Sequence, residues 1–189
     1  MNKLIILFLN LIILVGCGRV SYNVPAEFQP YVKQFEKNSL RYGGKEMIII
    51  NLIVNFKDLS ELGKIGICTL RKVEAVGRSY DYIPEVSIDK EFWETATEAS
   101  RKDLMDHELG HCILKRGHNE NIKDEINTPE SIMFPYHVPD VIGQNRYLEM
   151  YDYYLTELFT GKSEEIINEK SANTITFYSS KTGCGGIHE

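Results

Sequence analysis

Residues 107 to 111 of this 189-residue chain read His-Glu-Leu-Gly-His. On a helix, positions i and i+4 share a face, so both imidazoles can reach one metal ion. Glu108 is turned about 100° from His107 and borders the same site. There its carboxylate can hold a water molecule and take its proton. Imidazole suits Zn2+, at about 2.0–2.1 Å. Two ligands leave such a site incomplete, because catalytic zinc keeps three protein ligands and one open position. With five histidines in the chain, a chance match arises in roughly one such sequence in a hundred. The context argues against chance. Leu104 and Leu114 share the face of the two histidines, while Met105, Leu109 and Cys112 lie opposite. A helix apolar on two sides is a buried helix. Burying two histidines and a glutamate without a partner is costly, and a metal removes that cost.

Further on, Gly117-His118 and Ser131-Ile132-Met133-Phe134-Pro135-Tyr136 follow the motif. Together these segments resemble the metzincin clan of zinc peptidases. The Met-aromatic-Pro order is most similar to the matrixin branch, where the segment after the Met helps to form the specificity pocket. The His-Glu-Leu-Gly-His-Cys core also resembles bacterial lipoprotein metallopeptidases. The resemblance implies one catalytic Zn2+ held by His107, His111 and His118, with Glu108 as general base. Met133 would lie beneath the metal in a Met-turn, and Tyr136 would either contact substrate or the oxyanion or simply pack structurally. It implies an α+β, zincin-like fold: a twisted, largely antiparallel or mixed sheet with an N-terminal helix, an active-site helix and a C-terminal helix. It is specific only over about residues 104 to 136. The sequence also departs from the clan. The third histidine normally follows the second by six residues, and here His118 follows by seven. Neither Leu114 nor Lys115 supplies the clan's glycine three residues before that ligand, so the turn is assigned to Gly117, which takes positive φ at low cost. The span to Met133 is longer than in matrixins and is expected to hold an insertion.

Other candidates have plainer readings. His137, close after the Met-turn, could contact substrate but is expected to be exposed, and His188 to be solvated in the tail. Glu149 would be the third ligand only in a gluzincin-like enzyme, whose helix motif is missing. Phe92 and Trp93 read as core or interface residues, and Tyr151, Tyr153 and Tyr154 as the packed face of a helix. A rival function is a non-catalytic zinc-binding lipoprotein with a structural or peptide-binding role. Structural zinc needs a fourth protein ligand, and none is evident. The last rival is an envelope interaction protein whose motif is accidental.

The N-terminus bears on location. Lys3 is followed by an apolar run from Leu4 to Gly16, broken only by Asn10. This is the length of a signal-peptide core and short for a membrane span. It ends Leu14-Val15-Gly16-Cys17, which resembles a bacterial lipobox, with Cys17 as the lipidated first residue. Residues 1–16 are then a signal peptide, 17–25 a lipidated cysteine and tether, and 26–189 a single metallopeptidase domain. The expected location is the bacterial cell envelope, on the outer membrane where there is one, because Gly18 and not Asp follows Cys17. In an oxidising compartment Cys68, Cys112 and Cys184 allow one disulfide and leave one thiol, with the pairing open.

The positioning elements follow from periodicity. Ala26–Tyr42 reads as a helix with Phe28, Val32 and Phe35 on one face, stopped by Gly43-Gly44. Met47–Phe56 reads as a central strand with Ile48, Ile50, Leu52, Val54 and Phe56 on one face. Ile65–Val76 is a second strand. Ile83–Ile88 is a third, placed at a sheet edge because Pro84 cannot donate to a ladder. As an edge it could align an extended peptide. Asp89–Lys115 is helical with a break and cap near Thr97. Asn119–Pro139 is a loop, Gln144–Phe159 a helix behind the site, and Thr174–Tyr178 a last strand. With 43% apolar residues, 25% charged residues and a net charge of −6, the chain is an ordinary globular protein. It has no basic stripe for nucleic acid. A peptide or protein substrate and a monomeric state are expected.

Overall fold

The computed structural model describes residues 22–74, 80–123, 127–161 and 176–178. The signal-peptide segment, Cys17, Cys184 and His188 lie outside the described residues, as do residues 75–76 of the second expected strand and 174–175 of the last. The fold is α+β: a five-stranded mixed sheet, with helices packed on one face.

Tyr22–Asn23 forms a short strand, β1, inside the expected tether. Helix α1 spans Gln29–Gly43, with Pro30 in its first turn and Gly44 ending it at φ 67°. Proline at a first turn lacks only an N–H that had no helical partner. The Gly44 amide donates to the Leu40 carbonyl. Phe28, Val32 and Phe35 are buried, as their spacing requires. Strand β2 runs only Leu52–Lys57, shorter than the Ile/Val run suggests. The Ile49 amide donates to the Glu36 carboxylate of α1 at 2.7 Å, which takes it out of any ladder. Ile48 and Ile50 are exposed, 72% and 59%, while Ile49 is buried.

Strand β3 is Gly66–Glu74 and β4 is Tyr80–Asp89. β4 is not at an edge. It lies between β2, to which it is parallel, and β3, to which it is antiparallel. Pro84 is tolerated because pairing with β2 starts only at Glu85, opposite Ile53, so only β3 is paired with this position. β1 adds parallel to β2, and β7 (Thr176–Tyr178, numbered by chain order) pairs antiparallel with Gly66–Cys68 of β3. The sheet order is therefore β1-β2-β4-β3-β7. On the open face Glu85 accepts hydrogen bonds from Asn55 and Arg71 across both neighbouring strands, a cross-strand polar pairing that suits a wet surface.

Asp89 ends β4 and caps helix α2, Lys90–Thr95, by accepting from the Phe92 amide at 2.9 Å. Thr97 caps α3, Glu98–Cys112, accepting from the Ser100 amide. The break near Thr97 is thus a pair of caps. From Asp103 to Cys112 every residue of α3 is buried. It packs against β3 and β4 on one side and α1 and α5 (Gln144–Thr160) on the other. α1 therefore packs mainly on helices, not on the sheet, although Phe28 reaches Phe56 of β2 at 4.9 Å. Trp93 is buried beside Phe28 and Tyr31. The expected loop from Asn119 holds a two-stranded hairpin, β5 (Ile122–Lys123) and β6 (Thr128–Pro129), then helix α4, Val138–Ile142.

Cys68 of β3 and Cys112 of α3 form a disulfide across 44 residues of chain, with their Cα atoms 5.5 Å apart. A loop of that length corresponds to about 4 kcal/mol in the chain-entropy account, and measured values are typically about 2–4 kcal/mol. Reducing the purified protein should lower its urea-unfolding free energy by about that amount. An unchanged midpoint in reductant would contradict the pairing.

Candidate metal centre

Helix α3 brings His107 and His111 onto one face, with ring centroids 4.5 Å apart. His118 arrives from the segment after the helix. Its Nε2 lies 3.1 Å from that of His111, which lies 2.9 Å from that of His107. All three ligand nitrogens fall within 4.8 Å of one another. Tetrahedral ligands about 2.05 Å from zinc would be roughly 3.3 Å apart, so the spacing fits a metal. Among the described residues this is the only convergence of three or more such side chains.

The extra residue before His118 is absorbed at the helix end, though not by Gly117. Lys115 takes the left-handed conformation, φ 58°, and its ammonium donates to the Cys112 carbonyl at 2.7 Å. The Arg116 amide then reaches back to the Gly110 carbonyl. Lysine in this region carries a modest steric cost, offset here by those two bonds.

Backbone carbonyls set the tautomers. His107 Nδ1 donates to Ile132 at 2.8 Å, and His111 Nδ1 donates to Arg116 at 2.6 Å. In each ring Nε2 is then the lone-pair nitrogen, the one that could ligate a metal. Burial, followed by the neighbouring imidazoles, holds His107 well below the usual histidine range and lowers His111 to about 3. His118 is lowered to about 4 by burial and then by Lys64. All three rings are therefore neutral at physiological pH. Three lone pairs pointed at one another repel, and a cation among them removes that repulsion.

Glu108 is fully buried. Neither carboxylate oxygen has a well-formed hydrogen bond among the described residues. Burial pushes its pKa well above the ordinary value, and the nearby Cys68 backbone amide opposes this only in part. A buried carboxylate in this state requires a proton or a cation nearby. Strand β3 crosses directly over it: a methyl group on Gly66 would lie 2.7 Å from Glu108 Oε1. Gly66 thus leaves room for the carboxylate.

Met133 is buried under α3. A methyl on Gly110 would lie 2.6 Å from its sulfur, so the thioether packs against the helix between the two motif histidines. Three imidazoles would fill the protein share of a catalytic site, which would leave the buried thioether a packing role. Met133→Leu roughly conserves volume and should cost less than about 1.5 kcal/mol. Its metal content should match that of the wild type by elemental analysis, and loss of the metal would show that the sulfur ligates.

Other candidates fall away from the centre or change character. His137 is buried, not exposed: its ring lies 3.0 Å from Asp140, 3.5 Å from Asp103 and edge-on to Phe92. The two carboxylates offset its burial and raise its pKa. Tyr136 is 43% exposed and packs on Phe134. Glu149 is exposed on α5. Tyr154 and Tyr147 are buried, with Tyr151 and Tyr153 half-buried beside them. Sequence reasoning missed Gly66, Arg116, Ser131 and Glu157, which shape or support the site. The Ser131-x-Met133 spacing was the one available signal, because a serine two residues before a tight turn can accept from the backbone. It does so here, from the Met133 amide at 3.0 Å.

No curated protein and no solved structure matches the chain. A family model described as "Putative phage metallopeptidase" matches residues 26–160, from just before α1 to the end of α5, and so contains the whole histidine centre. That match spans more than two thirds of the sequence, and the chain belongs to this metallopeptidase family.

Proposed function

We propose that the protein is a zinc-dependent endopeptidase with a metzincin-type centre: His107, His111 and His118 as ligands, Glu108 as general base, and Met133 as the platform beneath. The observation that carries this reading is the convergence of three neutral Nε2 atoms on α3 and the following turn, beside a buried carboxylate without good partners. When bound, zinc polarises the scissile carbonyl and makes the attacking water more acidic. Glu108 takes the proton from that water and returns it to the leaving amine. β3, not β4, is the strand beside Glu108, and β7 already pairs with its Gly66–Cys68 segment there, so a peptide substrate would lie across the centre without adding to the sheet at that segment. Tyr136 is available to that peptide on the segment after Met133. Cleavage of a peptide library by the purified protein tests the reading. Hydrolysis should stop with a chelator and return with zinc; zinc binding without cleavage would favour the non-catalytic alternative.

We also propose that the enzyme is exported and anchored through lipid on Cys17, facing the cell envelope, on the outer membrane where there is one. The apolar run before Cys17 supports this, as does the Cys68–Cys112 disulfide, since such bonds persist in oxidising compartments. Mass spectrometry of the mature N-terminus should find a lipid-modified Cys17, and an unmodified cysteine would contradict it.

A further inference from the structure

His107 and His111 are set by a rigid helix, but the groups that aim them lie on irregular backbone. His111 is oriented by the Arg116 carbonyl, and His107 by the Ile132 carbonyl. His118 is followed by Asn119, whose amide donates to the Met133 carbonyl at 2.9 Å. The turn after α3 and the turn at Ser131–Phe134 therefore determine the geometry of all three ligands. One side chain from a distant helix holds both turns. Glu157, on the last turn of α5, accepts from the buried Arg116 guanidinium with one oxygen and from the Ser131 hydroxyl with the other. Ser131 Oγ in turn accepts from the Met133 amide. Arg116 also donates to the Glu157 and Leu158 carbonyls at 2.9 and 2.7 Å. The side chains of Arg116 and Glu157 are 8% and 17% exposed. Gly161 lies against the pair, where a methyl would come within 2.8 Å of Glu157 Oε1.

We propose that Glu157 is a positioning residue for the metal centre: its carboxylate fixes the Arg116 and Ser131–Met133 turns that aim the three histidines. This rests on the metal-centre reading above. A carboxylate is needed because both partners donate. Glutamine offers one accepting oxygen and turns an NH2 group on the other donor. Groups that orient ligands in this way typically change metal affinity by about 10–100-fold when altered. A residue that only adds stability would change unfolding but not the affinity of the folded protein.

The experiment measures zinc affinity by chelator competition, in the full-length protein, beside the unfolding of each metal-free variant. Glu157→Gln should remain folded and bind zinc about 10–100-fold more weakly. With Co2+ in place of zinc, its visible absorption should shift, reporting altered ligand geometry. Ser131→Ala should weaken binding less. The double variant should bind no worse than Glu157→Gln alone, since both changes break the same connection. Wild-type affinity in folded Glu157→Gln would overturn the proposal and leave the metal-centre reading standing. If Glu157→Gln does not fold, unchanged affinity in Ser131→Ala overturns it. A wild-type protein that binds no zinc would overturn both.

Discussion

Glu108→Gln should lose hydrolysis and keep its metal. The substitution preserves shape and removes the group that accepts a proton. General base catalysis typically contributes about 10²–10⁴-fold, so kcat/KM should fall at least that far while KM changes little. Metal content should remain that of the wild type, because the three ligands are imidazoles. A second, independent signature follows from linkage. Burial raises the pKa of Glu108 in the folded, metal-free protein, so the folded state holds a proton that the unfolded state has lost above about pH 4.5. Stability of the metal-free wild type is therefore reduced as pH rises through that range. Metal-free Glu108→Gln lacks this penalty and should be the more stable protein at pH 7 by urea unfolding. Full activity in the variant would remove Glu108 from the chemistry, and loss of metal would make it a ligand.

His118→Ala should strip the centre of its metal. Only His107 and His111 would remain, on one helix face, and two imidazoles do not hold a catalytic zinc. Affinity should fall beyond the roughly 100-fold upper range for groups that merely orient ligands, with activity lost in proportion and restored in part by excess zinc. The pH behaviour is also specified. His118 has a folded pKa of about 4, below its ordinary 6.5, so the unfolded chain binds the extra proton. Its contribution to metal-free stability is present above pH 6.5 and is lost as pH falls toward about 4. His118→Ala should flatten that part of the stability curve. Wild-type zinc affinity in His118→Ala would place the third ligand elsewhere.

Much of this centre was legible in the sequence because its parts are local. His107 and His111 need only a helix, and the caps at Asp89 and Thr97 mark where helices start. Position 118 was legible by resemblance, while the turn that delivers it was not. A lysine in a left-handed conformation leaves no compositional signal, and Gly117 was the more obvious choice. The strand errors have a common origin in long-range pairing. Ile48 and Ile50 look like strand until Glu36, thirteen residues before Ile49, takes the Ile49 amide. Pro84 looks like an edge until the register shows that β2 pairs only from Glu85 onward. His137 looked exposed because its partner Asp103 lies far off in sequence. The same holds for Glu157 and Arg116, 41 residues apart, and for the choice of Cys112 as the partner of Cys68.

The most direct test of the account is an X-ray diffraction measurement on crystals of the zinc-loaded protein at the zinc absorption edge. One anomalous peak is expected, at about 2.0–2.1 Å from Nε2 of His107, His111 and His118. It should have one open coordination position facing Glu108 and should lie out of bonding range of the Met133 sulfur. A zinc peak elsewhere, a centre closed by a fourth protein ligand, or no peak at these histidines would contradict it.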